Sequence, residues 1–257
     1  MSPFKISVGE GREEFMLTQY RLSHDPVFYI MAGFFALVTT ALPAVLGQPR
    51  FLPIAQTLAL FVFLLIPLRQ RQIRQAITVV ALWLVLQWVT MLLLTWLAPL
   101  QVERAINDGF IYRTAYLEWF FGNRQAPGSL ALQPVGRLLE VLGVLVGSLV
   151  SGGLIGIWFL VRALNLAAFG SGALLAPLGG LTGLLAAQPV WTLISLAGYG
   201  GFVILLAEPL LTRHWALGAF WKERRTLGMI SAALLVIGLL LEMILPGAWR
   251  TFFQPPF

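Results

Sequence analysis

Residues 143–156 read GVLVGSLVSGGLIG, a stretch of glycine, serine and branched aliphatic residues without a charge. Thirteen of the 25 glycines in the chain lie between residues 143 and 201. In water a glycine weakens a helix by about 1 kcal/mol relative to alanine. In a bilayer, by contrast, small residues let helix backbones approach closely and associate. The stretch therefore indicates the packing centre of a membrane protein.

Small residues recur here at every fourth position, in two rows that run side by side. We expect both rows to lie on one face of a single helix over residues 138–161, where a second helix can pack against them. The two rows consist of Gly143, Gly147 and Ser151, and of Ser148, Gly152 and Gly156.

The composition sets the class of the whole protein. Hydrophobic residues make up 58% of the chain and charged residues 11%, against roughly 25% charged in soluble domains. Several apolar runs reach the ~20 residues that cross a bilayer core. The sequence therefore predicts an all-α integral membrane protein, a polytopic bundle of about seven transmembrane helices.

The net charge of +6 has a topological interpretation. Basic residues form short clusters between the apolar runs, as the positive-inside rule predicts for loops on the cytoplasmic side. We therefore expect a lipid bilayer, and no nucleic acid, as the partner of these charges. The chain has no cysteine, which excludes disulfides, thiolate metal sites and a cysteine nucleophile.

The chain divides into four regions in order. Residues 1–25 predict a cytoplasmic surface segment, in which Asp25 caps a helix that starts at Pro26. Residues 26–100 hold spans 1–3, and residues 101–136 predict an outer interfacial amphipathic helix and a loop. Residues 137–257 hold the glycine-rich spans 4–7. The seven predicted spans are 27–46, 51–68, 76–97, 138–161, 166–187, 190–211 and 227–245.

The segment 166–187 decides the topology, because its five glycines and Pro177 fit either a span or a re-entrant segment. Seven spans put eleven basic residues on the inner side and six on the outer side. Six spans plus a re-entrant segment give eight and nine. Positive-inside counting therefore favours seven spans in the plasma or inner membrane, with a cytoplasmic N-terminus and an outer C-terminus.

Charged residues near the predicted span ends form two layers. The outer layer holds Arg137, Glu140 and Glu242, and the inner layer holds Arg162 and Glu208. Ionisable groups in spans are functional candidates, so these layers are read either as gates along a path or as interfacial ion pairs. A path would also pass the broken segment at Gly172 and Pro177.

The predicted cytoplasmic loop 212–225 mixes basic and aromatic residues. Such a loop can lie on anionic lipid or dock on a soluble partner, such as the ATPase of a transporter. The residues concerned are Arg213, Trp215, Phe220, Trp221, Arg224 and Arg225.

The sequence contains no catalytic constellation and no Asp, Glu, Lys, Arg or His near a predicted midplane, and it indicates no particular cofactor or metal. We therefore expect a non-catalytic transmembrane subunit of a larger complex, which packs against other membrane subunits through its Gly/Ser-lined faces. The alternative is the permease component of a transporter for an apolar or lipid-like substrate, for example an ABC-type transporter.

Overall fold

The computed structural model describes residues 25–122, 124–212 and 217–253, without the side chains of residues 181 and 217–221. Within these residues the chain forms ten α-helices and no strand. The helices are α1 (Pro26–Val45), α2 (Phe51–Arg69), α3 (Ile73–Leu97), α4 (Pro99–Ala105), α5 (Gly109–Gly122), α6 (Pro134–Ser151), α7 (Leu154–Leu178), α8 (Gly180–Ala186), α9 (Val190–Thr212) and α10 (Leu217–Phe253).

Seven of these helices are long and apolar enough to cross a membrane, namely α1, α2, α3, α6, α7, α9 and α10. Consecutive long helices run in opposite directions, so their ends form two layers. We call the end at which α1 stops and α6 starts the upper end, and the opposite one the lower end. The expected helix bundle with seven candidate spans is thus confirmed, whereas the orientation of its two ends remains a prediction.

Helix α7 is the central helix of the bundle, in contact with α2, α3, α5, α6 and α9. Its side chains Leu160, Leu164 and Phe169 are fully buried, and they belong to one apolar core with Leu60 of α2 and Trp83 of α3. Exposed aliphatic and aromatic side chains cover the outer faces of the other long helices. This distribution suits a bundle surrounded by lipid, in which apolar residues face outward as well as inward.

The single span expected over residues 138–161 is wrong, because the chain turns back in its middle. Helix α6 stops at Ser151, and α7 begins at Leu154. Gly152 and Gly153 between them have φ angles of +63° and +101°, a region that only glycine enters at little cost. Their N–H groups both donate to the carbonyl of Ser148, which ends the helix as left-handed glycine caps do.

The small residues predicted to share one helix face therefore lie on two facing helices. A methyl group on Gly156 would clash with Ser148, one on Gly147 with Ile155, and one on Gly143 with Phe159. Their role in close packing is retained, but Gly152 belongs to the turn. The packing joins α6 to α7 within this chain.

The segment 166–187 is not a separate span. Its first part completes α7, which runs to Leu178, and the rest forms the short helix α8. Gly179 separates the two helices at φ +63°.

Three other boundaries compare with the expectations as follows. Asp25 caps α1, since its carboxylate accepts a 2.8 Å hydrogen bond from the Val27 N–H, as predicted. Residues 101–136 form two short helices, α4 and α5, and a loop instead of one interfacial helix. Helix α10 has 37 residues, far more than the predicted span 227–245. The predicted surface segment before Asp25 lies outside the described residues.

Candidate functional site

A cavity of about 90 Å³ lies near the upper end of the bundle, where α5, α6, α7, α9 and α10 meet. Ala163, Leu166 and Ala167 of α7 form its apolar wall toward the bundle centre. Ala126 to Gly128, in the loop between α5 and α6, border it on the upper side. The remaining wall consists of aromatic and charged side chains, which are described next.

Three charged side chains from two helices meet in this cavity. The guanidinium of Arg137 lies 2.5 Å from a carboxylate oxygen of Glu140, one turn further along α6. Its other terminal nitrogen lies 3.1 Å from Glu242 of α10. The side chain of Arg137 is 10% exposed and that of Glu242 is 8% exposed. One buried cation therefore serves two carboxylates, and the three groups together carry one excess negative charge when all are ionised.

Several polar atoms around this centre have no hydrogen-bond partner among the described residues. They are the hydroxyl of Ser195, the Nε of Arg137 and the Oε2 of Glu242, which faces Arg137 without a well-aligned N–H. Tyr199 is 1% exposed, and the Arg137 guanidinium lies 6.0 Å from the centre of its ring. Buried polar groups are almost always hydrogen-bonded, so this cavity holds an unusual concentration of open donors and acceptors.

Aromatic rings form the opposite side of the cavity and meet at steep angles. The rings of Trp119 and Trp191 are 6.4 Å apart and nearly perpendicular. Tyr116 lies 5.0 Å from Trp119 at 68°, and Tyr112 stacks beside Tyr116. Rings inclined in this way present edges and faces to the same space.

The two tyrosines of α5 stay neutral over the physiological pH range. Burial raises the pKa of Tyr116 to about 12. Burial raises the pKa of Tyr112 even further above its usual value, and the neighbouring Tyr116 adds to this effect. Both rings therefore offer hydroxyl groups and no charge of their own.

The structure brings together the whole predicted outer layer, because Arg137, Glu140 and Glu242 all line the cavity. The residues of the predicted path lie elsewhere. Gly172 packs against Thr95 of α3, where a methyl group would clash, and Pro177 is exposed near the end of α7. Neither of these two residues borders the cavity.

The predicted inner layer is wrong. Glu208 is buried at the lower end of α9 and receives two hydrogen bonds, of 3.0 and 2.8 Å, from Arg224 of α10. Arg162 lies inside α7 instead of at its end, and its side chain is exposed. The error follows from the missed turn at Gly152, which moved the start of α7 eight residues before Arg162.

The predicted basic and aromatic surface is only partly described. Arg213 and Trp215 lie outside the described residues, and so do the side chains of Phe220 and Trp221. Arg225 is exposed. Arg224 is engaged by Glu208, and its side chain is 16% exposed.

The sequence analysis missed a second polar group, which lies in the middle of the bundle. Asn165 of α7 accepts hydrogen bonds from Gln56 of α2 and Gln87 of α3, at 3.2 and 2.8 Å. It donates back to Gln56 at 2.6 Å. Gln56 also donates to Thr40, and Gln87 accepts from Trp83. We call these five residues the central network. The sequence signal for this network was the presence of amide side chains in otherwise apolar spans, whereas the predicted layers consisted of ionisable residues alone.

No cluster of three or more histidine, cysteine, aspartate or glutamate side chains suited to a metal occurs among the residues that the structure describes. The chemistry of the upper cavity is therefore that of one guanidinium, two carboxylates and aromatic hydroxyls. Compared with known proteins, the chain matches no family model, no curated protein and no solved structure.

Proposed function

We propose that this protein is the membrane-spanning component of a transporter and binds a small solute in the upper cavity. The observation that carries this proposal is the cluster of Arg137, Glu140 and Glu242 beside the cavity, where the Nε of Arg137 and the hydroxyl of Ser195 lack partners inside the chain. A buried polar group without a hydrogen bond costs about 1–3 kcal/mol. A solute with matching groups would recover that free energy on binding.

The position of the cavity supports a permease more than an enzyme. It lies between five helices at one end of the bundle, as ligand sites between the helices of a bundle do. Helices α9 and α10 carry Tyr199 and Glu242 at this end, and the Glu208–Arg224 pair at the other end. The lower ion pair joins α9 to α10, so the two helices can move as one unit against α6 and carry Tyr199 and Glu242 away from Arg137, which is the kind of rigid-body movement that alternating access uses.

The absence of cysteine makes the proposal directly testable, because every engineered cysteine is the only one in the protein. Ala167→Cys places a thiol in the cavity wall. We expect a small, membrane-impermeant thiol reagent to modify it from the upper side. For a transporter, modification from the lower side is expected as well, at a lower rate, because the inward-open state is then populated part of the time.

Ala168→Cys is the matched control, since Ala168 is the next residue on α7, is 0% exposed and does not line the cavity. If the thiol of Ala167→Cys resisted the reagent as fully as that of Ala168→Cys, the cavity would not be accessible to solutes. Reaction of Ala167→Cys from the upper side alone, under all conditions, would leave a binding protein without transport.

The second candidate is the non-catalytic subunit of a membrane complex, and Arg162 favours it. Its side chain is exposed on α7 and makes no hydrogen bond or ion pair with a described residue. It lies about 12 Å along the helix axis from Leu154, within a hydrocarbon layer of about 30 Å. A charge at that depth is costly unless it is paired, and an acidic residue on a neighbouring subunit would pair it.

This candidate is tested by gentle extraction from the native membrane and mass spectrometry of the wild type and Arg162→Leu. Stoichiometric subunits that are lost from the variant would support the subunit assignment. The control is Arg225→Leu, which removes an exposed cation at the lower end. Identical recovery of the same proteins with wild type and Arg162→Leu would remove Arg162 as an argument for a partner.

A further inference from the structure

We propose that the ligand of the upper cavity is a small alkylammonium ion, held by Glu140 and Glu242 and enclosed by the aromatic wall. This inference rests on the proposed function, since it names the class of solute that the same site binds. It is carried by the charge of the cavity, by the geometry of its rings and by its size.

The charge of the cavity selects a cation. Among its lining residues, the acidic and basic side chains are two carboxylates and a single guanidinium. Arg137 already lies against both carboxylates, which balance the charge that it could offer to an anionic ligand. An added monovalent cation balances the remaining negative charge, and opposite charges attract strongly in a partly buried site.

The aromatic wall selects an organic cation over a metal ion. Tyr116, Trp119 and Trp191 meet at angles of 68° and 89° and form a corner. Indole and phenol faces attract alkylammonium groups, and such aromatic corners recognise quaternary ammonium ions. A sodium ion instead needs several oxygen ligands in place of its water shell. The cavity offers carboxylates on one side only.

The hydroxyl groups of Ser195 and Tyr199 provide the second contact. Both side chains are 1% exposed and line the cavity, and the Ser195 hydroxyl has no partner among the described residues. The guanidinium of Arg137 lies 6.0 Å from the centre of the Tyr199 ring. The hydroxyl oxygens can accept an ammonium N–H or, from a quaternary ion, the weaker contact of a polarised N-methyl group, while the alkyl groups contact Trp119 and Trp191.

The cavity volume limits the size of the ligand. A dry cavity of about 150 Å³ accommodates benzene, so 90 Å³ suits about four non-hydrogen atoms on the same scale. Tetramethylammonium, with five such atoms, is close to this size and carries the matching charge. Methanesulfonate and tert-butanol also have five non-hydrogen atoms in a tetrahedral arrangement and carry a negative charge and no charge, respectively.

The experiment is a fluorescence titration of the purified protein in lipid nanodiscs, since Trp119 and Trp191 report on the cavity. Tetramethylammonium is expected to bind, and both isosteres at least about tenfold more weakly, which corresponds to the loss of one charged contact. Glu140→Gln is expected to lower the affinity by a similar factor. Glu118→Gln, which removes a carboxylate outside the cavity, is the control.

Each other outcome overturns a specific part. Tighter binding of methanesulfonate or of tert-butanol, lost in Glu140→Gln, would refute the cation and leave the solute site intact. Equal competition by sodium chloride and by tetramethylammonium chloride would refute the organic class. Failure of all three probes, with Ala167→Cys still modified in the cavity, would refute the ligand class alone. If the reagent did not modify that thiol, the upper cavity itself would be refuted as a solute site.

Discussion

The central network and the upper cavity both place polar side chains among apolar helices, but they treat hydrogen bonds differently. In the central network, Asn165 joins Gln56 and Gln87, and each amide has donors and acceptors paired within the chain. In the cavity, the Ser195 hydroxyl and the Arg137 Nε have no such partner. The first group is complete without a ligand, and the second one is not.

This difference separates a structural role from a binding role in the absence of any related protein. A closed polar network fixes the register of helices because it fits only one arrangement. Open polar atoms beside a cavity cost free energy in the empty protein and are useful only when something else pairs with them. The accounting of hydrogen bonds thus identifies the site that charge alone leaves ambiguous.

The largest expected effect comes from Arg137→Met, which leaves two carboxylates buried without their cation. Breaking a buried ion pair on one side costs about 3 kcal/mol or more. We expect a loss of that size in the unfolding free energy, measured by SDS titration. Adding Glu140→Gln and Glu242→Gln should recover most of it. If neither glutamine substitution restored the unfolding free energy, Arg137 would stabilise the bundle by packing and not by charge.

Gly156→Leu should come next, because it separates α6 from α7 and so removes the helix that carries Arg137 and Glu140. Forcing a larger side chain into a packed interface costs about 1–3 kcal/mol, and here the added atoms meet Ser148 and the Val144 carbonyl. We expect the upper end of that range in the unfolding free energy. Gly247→Leu has free space and is the control, so equal losses in both variants would argue against close α6–α7 packing.

Asn165→Leu tests the central network, whose hydrogen bonds are all made within the chain. It removes three hydrogen bonds, each worth about 0.6 kcal/mol in a membrane protein, so we expect a loss of about 2 kcal/mol in the unfolding free energy. The affinity of the cavity for tetramethylammonium should stay within twofold. Thr39→Val removes only a hydrogen bond within α1 and should cost less. A large loss of affinity in Asn165→Leu would show that the two regions are coupled.

The smallest effect is expected for Glu118→Gln. The Glu118–Arg124 pair is 2.7 Å long but largely exposed, with side chains 42% and 70% accessible. Exposed pairs contribute at most about 1 kcal/mol, so the thermal unfolding midpoint should barely change. A marked drop would mean that the loop above the cavity depends on this pair.

Composition and charge spacing carried the prediction of the bundle, because apolar runs of span length have few alternatives in a bilayer. The meeting of Arg137, Glu140 and Glu242 followed from their predicted depth. The turn at Gly152 and Gly153 was not predictable from periodicity, since the small residues repeat at helical spacing straight through it. Only the left-handed backbone of the two glycines separates a long helix from a hairpin, and both readings bury the same faces.

The central network and the aromatic corner could not be predicted from the sequence of any single span. The central network joins residues 109 positions apart in the chain, so no local pattern contains it. The aromatic corner likewise draws on α5 and α9, whose neighbourhood is set by the packing of α7 between them.

The two-residue turn between α6 and α7 has a consequence for biogenesis. Two extended residues reach at most about 7 Å, little more than the headgroup layer on one side of a bilayer. The ends of the two helices therefore stay close together from the moment the turn is made. The insertion machinery of the cell should accept α6 and α7 as one helical hairpin, which carries Arg162 into the lipid together with about 40 mostly apolar residues whose transfer offsets its cost.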